Sequence, residues 1–87
     1  MKKEVQEVIK QYMRSEMLKT RTELKITQVE MAHRLGISSR EYTNIESGIS
    51  CCNTITFLVY MKEFVGDAQK FLDGLKEVLE ASRTDVA

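Results

Sequence analysis

Apolar positions along this chain recur three and four residues apart and nowhere alternate, so every element they predict is a helix. Over residues 2–24, Val5, Ile9, Tyr12, Met13, Met17, Leu18 and Leu24 gather near one side with some drift. No breaker interrupts them, and the pattern fits one long helix or two abutting ones. The next signal is denser. Thr27 stands before an apolar run with Glu30 three residues on, the spacing of a capping box. There the Thr27 hydroxyl takes the amide of residue 30 and the Glu30 carboxylate reaches back to the Thr27 amide. Met31, Ala32 and Leu35 then share a face, and Gly36 stops the helix in the left-handed conformation that glycine enters cheaply. Ser38 and Glu41 repeat the capping box. Tyr42 and Ile45 supply the apolar face of a second short helix from Ser39 to about Ser47, which Gly48 closes. Two capped helices joined by a glycine turn, over about residues 27–47, make a helix-turn-helix unit.

Asn53 is placed to cap a further helix over residues 54–64. Phe57, Tyr60, Met61 and Phe64 follow the i, i+3, i+4, i+7 pattern and are expected to close over the helix-turn-helix core. Ile55, Leu58 and Val59 point elsewhere. A helix apolar nearly all round needs cover on more than one side, from the last helix or from a second subunit. Val65 and Gly66 end this helix, and Asp67 caps the last one, from Ala68 to about Arg83. Ala68, Phe71, Leu72, Leu75, Val78 and Leu79 form its stripe, while Lys70, Asp73, Lys76, Glu77 and Glu80 face water. Two uses of the stripe stay open: a core helix packed on Ile55, Leu58 and Val59, or a dimer seam with a/d-like spacing over two heptads. Residues 84–87 read as a frayed tail.

The 87 residues suffice for one core, so residues 1–87 are read as a single all-α domain. No apolar run is long enough to span a bilayer, and the N-terminus lacks a signal peptide's apolar centre. A cytoplasmic protein is expected. Thirteen basic residues balance thirteen acidic ones. The balance is uneven along the chain: residues 1–50 hold nine Lys/Arg against seven Asp/Glu, and residues 51–87 hold four against six. The positive half carries the helix-turn-helix. Cys51 and Cys52 are adjacent, which does not make a disulfide framework, and with His33 alone elsewhere they do not make a zinc site. They read as reduced structural or surface thiols. There is no glycine-rich phosphate loop, no second histidine and no nucleophile–base pair, so an enzyme reading has no residues to stand on, and no cofactor or metal is expected.

The ordered residues Thr27-Gln28, Met31-Ala32, Leu35-Gly36-Ile37-Ser38, Ile45-Glu46 and Gly48 resemble the phage-repressor and Cro-like (XRE) family of DNA-binding domains. Leu18 and Arg21 match that family's preceding helix, and Phe57, Tyr60 and Phe64 the following one, so the resemblance covers about residues 13–64. It implies a five-helix, lambda-repressor-like fold with two additions: an N-terminal helical extension over residues 1–12 and a long C-terminal helix over residues 67–83. The extension has two open uses, as extra cover for the core or as a dimer contact or arm touching DNA. The resemblance further implies an ion pair between Arg21 and Glu46 that fixes the angle between their helices. His33 falls where the family usually faces solvent, and Cys52 where members often have proline.

The function implied is sequence-specific recognition of double-stranded DNA by a prokaryotic or phage-encoded transcriptional regulator, a repressor at an operator. A recognition helix in the major groove reaches base edges with its N-terminal residues. By resemblance, and by elimination of the core positions Tyr42 and Ile45, its outward residues are Ser39, Arg40, Thr43 and Asn44. Arg40 suits guanine O6 and N7, Asn44 suits adenine N6 and N7, and Ser39 and Thr43 suit base edges or phosphate. Phosphate contacts are assigned to Gln28 by resemblance, and to Ser47, Ser50 and Asn53, which border the loop after the recognition helix. Arg14, Lys19, Lys25 and Arg34 are candidates for longer-range attraction. A homodimer through the fourth or last helix would set two recognition helices roughly 34 Å apart, one turn of DNA. The competing reading is a protein-interaction module on the same fold, such as an antitoxin or a regulator's adaptor, whose last helix binds a partner protein.

Overall fold

The unbroken pattern at the start of the chain folds as a single helix, α1 (Lys3–Leu24). The computed structural model describes residues 3–84. After α1 come α2 (Gln28–Leu35), α3 (Ser39–Glu46), α4 (Thr54–Phe64) and α5 (Ala68–Thr84), and no strand occurs among the described residues. Thr84 still belongs to α5, and the rest of the expected frayed tail, residues 85–87, lies outside the described residues.

One backbone device ends each of the first three helices. At the end of α2, Gly36 sits at φ 76°; its amide bonds the carbonyl of His33 (3.1 Å) and the Ile37 amide that of Ala32 (3.0 Å). That is the Schellman pattern, which satisfies carbonyls the helix leaves open. Gly48, at φ 86°, ends α3 in the same way: the Gly48 amide bonds Ile45 O and the Ile49 amide bonds Asn44 O. α1 ends identically, with Lys25 amide to Thr22 O and Ile26 amide to Arg21 O, but the left-handed residue there is Lys25, at φ 57°. No sequence signal marks that turn, because the residue is not glycine.

The helix starts follow their caps, with one correction. Ser38 and Glu41 form the full reciprocal box, and Asn53 and Asp67 accept the amides of Thr56 and Lys70. At Thr27 only half the expected box forms. The Thr27 hydroxyl accepts the Glu30 amide (3.1 Å), while the Glu30 carboxylate turns along its own helix to Arg34 (3.4 Å). A cation one turn ahead is the better partner for a carboxylate than a neutral amide.

All five helices contribute to one core: Met13 and Met17 from α1, Met31, Ala32 and Leu35 from α2, Tyr42 and Ile45 from α3, Tyr60 from α4 and Phe71 from α5. Met17, Met31, Tyr42 and Tyr60 are the largest fully buried side chains. Unbranched methionines fill the irregular gap between the short helices and the long one. Phe57, Met61 and Phe64 pack half-buried against this cluster, as their spacing on α4 predicts. Leu24, expected with the apolar side of α1, is exposed, since the turn at Lys25 begins there.

The C-terminal helix takes a different seat from the one its stripe suggested. α5 lies against α1, and Tyr12, in the N-terminal half of α1, is the residue that meets it. The Tyr12 ring meets Phe71 edge-on at 5.2 Å and its hydroxyl donates to the Phe71 carbonyl at 2.5 Å. Gly74 lets that hydroxyl in: a Cβ there would stand 2.5 Å from Tyr12 Oη. Ile55 and Leu58 therefore receive no cover from α5 and remain 75% and 59% exposed. Val59 alone of that trio packs against the core.

Candidate nucleic-acid interface

The outer helix of the helix-turn-helix, α3, is held by one carboxylate. Glu46, 8% exposed, accepts from Arg21 twice (Nε to Oε2, 2.8 Å; Nη2 to Oε1, 2.9 Å). It accepts also from Gln28 Nε2 at 2.9 Å and from the Tyr42 hydroxyl at 2.5 Å. Donors from α1, α2 and α3 thus converge on two oxygens. Burial alone would raise the Glu46 carboxyl, but the bonds from Arg21, Tyr42 and Gln28 outweigh it and hold it below the ordinary carboxylate range. Burial, reinforced by the Glu46 charge, pushes the Tyr42 hydroxyl far above its usual value, so it stays a donor. Such a fork-and-hydroxyl cage fixes direction as well as distance.

A second clamp was not foreseen. Arg14, read from sequence as a cation for long-range attraction, donates from Nε to the Glu46 carbonyl at 2.6 Å. It thereby closes the C-terminal end of α3, where a cation complements the helix dipole. The signal available was its spacing: Arg14 and Arg21 lie seven residues apart, two turns along one side of α1. Tyr42 was likewise read as core alone, and its ring is fully buried, yet the hydroxyl that meets Glu46 belongs to the same cage.

With that side anchored, the other side of α3 faces out. Ser39, Arg40 and Thr43 are exposed and Asn44 is half-buried. The Thr43 hydroxyl donates back to the Ser39 carbonyl (2.8 Å), which turns the side chain along the helix. Glu41 accepts from both the amide and the hydroxyl of Ser38, so its carboxylate stays at the helix start. Asn44, Ser50 and Asn53 come together around one cleft of about 130 Å³, shared with Glu41, Cys51 and Cys52. Asn53 uses its Oδ1 on the Thr56 amide, leaving its amide nitrogen as the donor end. Gln28 and Ser47 are not part of that cleft. Gln28 is tied to Glu46, with a second N–H on the same nitrogen, and the Ser47 hydroxyl bonds the Asn44 carbonyl at 3.2 Å. His33 is exposed.

Residues 17–56 match the family model HTH_3, described as helix-turn-helix. Over this stretch the chain is similar to HTH_3 domains, consistent with the phage-repressor and Cro-like (XRE) family. The HTH_3 match takes in the last eight residues of α1, all of α2 and α3 and the start of α4, so the Glu46 cage falls inside it. Arg14, the N-terminal extension and α5 fall outside. HTH_3 domains are DNA-binding regulatory domains and generally not enzymes. In comparisons with curated proteins and with solved structures, nothing matches the chain. No helix among the described residues is long and apolar enough to cross a membrane.

Proposed function

We propose that this protein is a transcriptional repressor that binds operator DNA as a homodimer, with α3 in the major groove. The observation that carries the reading is the two-sidedness of α3. One side is locked by Glu46, Tyr42 and Arg14, and the other offers Ser39, Arg40, Thr43 and Asn44 on a helix whose orientation cannot drift. Direct readout needs that rigidity, because a bidentate contact tolerates little error in angle. Arg40 takes a guanine edge, Asn44 an adenine edge, and Ser39 and Thr43 fill between them. Gln28, Ser50 and Asn53 hold phosphates with neutral donors, and Ser47 joins them by turning its hydroxyl away from the Asn44 carbonyl, which suits a chain whose charges balance.

Dimerisation rests on α4. Ile55 and Leu58 are exposed on one face of it, and Ile49 is 71% exposed just before it. A second copy seated there covers apolar surface that α5 leaves open. Ile55→Asp with Leu58→Asp should halve the mass seen by sedimentation without loss of helical circular dichroism, since neither residue lies in the core. A wild-type chain sedimenting as a monomer at all concentrations would remove the dimer. The same exposed face also supports the second reading, an adaptor binding another protein. In that case the double variant loses the partner and keeps its DNA affinity.

A further inference from the structure

The loop between α3 and α4 carries two thiols to which the DNA reading gives no role, and of the two only Cys52 packs, half-buried, against the core. Cys51 is exposed, Cys52 half-buried, and both line the cleft that also holds Asn44, Ser50 and Asn53. Cys51 borders a second hollow too, formed by Gln6, Glu7, Ile9, Lys10, Ile49 and Ser50. Consecutive in the chain, the two open onto the same cleft; burial, with Cys51 alongside, pushes the Cys52 thiol up to about 12.

Three uses of such a pair can be weighed. A direct disulfide is poorly accommodated. The peptide bond joining the two residues is trans, which sets their Cα atoms about 3.8 Å apart, short of the roughly 4.4 Å minimum that a disulfide ordinarily spans. A tetrahedral metal ion lacks ligands, because no group of three His, Cys, Asp or Glu gathers among the described residues. A soft centre that needs only two protein sulfurs avoids both obstacles. Placed between the sulfurs, it spares them from approaching to bonding distance.

We propose that Cys51 and Cys52 form a vicinal dithiol site for a monosubstituted trivalent arsenical, and that its occupation releases the protein from DNA. The chemistry balances without an oxidant. Each thiol gives up its proton and forms one sulfur–arsenic bond, the oxygen of the arsenoso group leaves as water, and arsenic stays trivalent. Binding draws the half-buried Cys52 sulfur toward Cys51 and sets a bulky group in the cleft beside Asn44, Ser50 and Asn53. The release rests on the DNA reading above; the site does not.

The test is titration of the full chain with phenylarsine oxide, followed by intact-mass spectrometry and, separately, by DNA affinity on a selected site. A single adduct, heavier than the protein by the reagent less one water, is expected. It should survive excess monothiol, be removed by a dithiol such as 2,3-dimercaptopropanol, and be lost in both Cys51→Ser and Cys52→Ala, with helical circular dichroism unchanged. DNA affinity should fall at least tenfold on adduct formation and recover with the dithiol. An adduct equally stable in either single-cysteine variant, or none in the wild type, overturns the site. A stable adduct with unchanged DNA affinity overturns the release. If the wild-type chain binds no DNA at any salt, the DNA reading fails while the adduct measurement still decides the site.

Discussion

Glu46 decides more than any other single residue. Removing one member of a buried, hydrogen-bonded ion pair leaves the other without compensation, and Glu46→Ala is expected to cost about 3 kcal/mol in urea unfolding. Its acid sensitivity has a definite sign. The folded-state carboxyl is held below its usual value, so the stability it contributes is present above the unfolded Glu range, about 4.3, and is lost as pH falls through the lower folded value. The gap in unfolding midpoint between wild type and Glu46→Gln should therefore be widest near pH 7 and narrow as pH falls below about 4.3. A constant gap would mean that the cage does not depend on the charge. On the outer side, Arg40→Ala should weaken specific binding by about 1–3 kcal/mol and relax discrimination at one base pair, while Gln28→Ala should weaken binding to all sequences alike. Untouched specificity in Arg40→Ala would show that another face of α3 meets the bases.

At the scale of elements, what was legible in the sequence is what local chemistry specifies. Capping residues, glycine stops and 3.6-residue spacing placed all five helices, because each signal acts within a few residues. Three features were not legible for the opposite reason. The left-handed Lys25 is a glycine position without glycine. Lys25→Gly should stabilise the chain by about 0.5–1 kcal/mol, since a side chain in that conformation costs more than glycine's extra entropy. The seat of α5 depends on a tertiary contact: its stripe suits either α4 or α1, and the hydroxyl of Tyr12 entering at Gly74 selects α1. Glycine in mid-helix normally loses about 1 kcal/mol to alanine, yet Gly74→Ala should destabilise by about 1–2 kcal/mol through overpacking against Tyr12 Oη. In a Tyr12→Phe background the same change should become stabilising, a reversal that a denaturation cycle reads directly. Arg14, finally, looked like a surface cation because nothing local reveals that its guanidinium reaches the end of α3.

At the scale of the molecule, neutrality acquires a structural account. Two basic residues of α1, Arg14 and Arg21, are committed to holding α3, which leaves Lys19, Lys25, Arg34 and Arg40 as the exposed cations considered for DNA. At about 0.9 per neutralised phosphate, the logarithmic salt slope should be no steeper than about −4 per protomer, so base contacts carry a larger share of the affinity than in a strongly basic domain. The sequence set Ile55 and Leu58 on a second apolar face and left its cover open; that the face stays exposed followed only once α5 was placed elsewhere. The measurement that bears most directly on the central claim is selection of bound sites from a random duplex library by the untagged full chain at moderate salt. A palindromic site with half-sites about one helical turn apart is the expected result, and with Arg40→Ala one base pair of each half-site should lose its preference. No enriched sequence, with binding that stays weak at low salt, would contradict the account and leave the exposed face of α4 as the place to look for a protein partner.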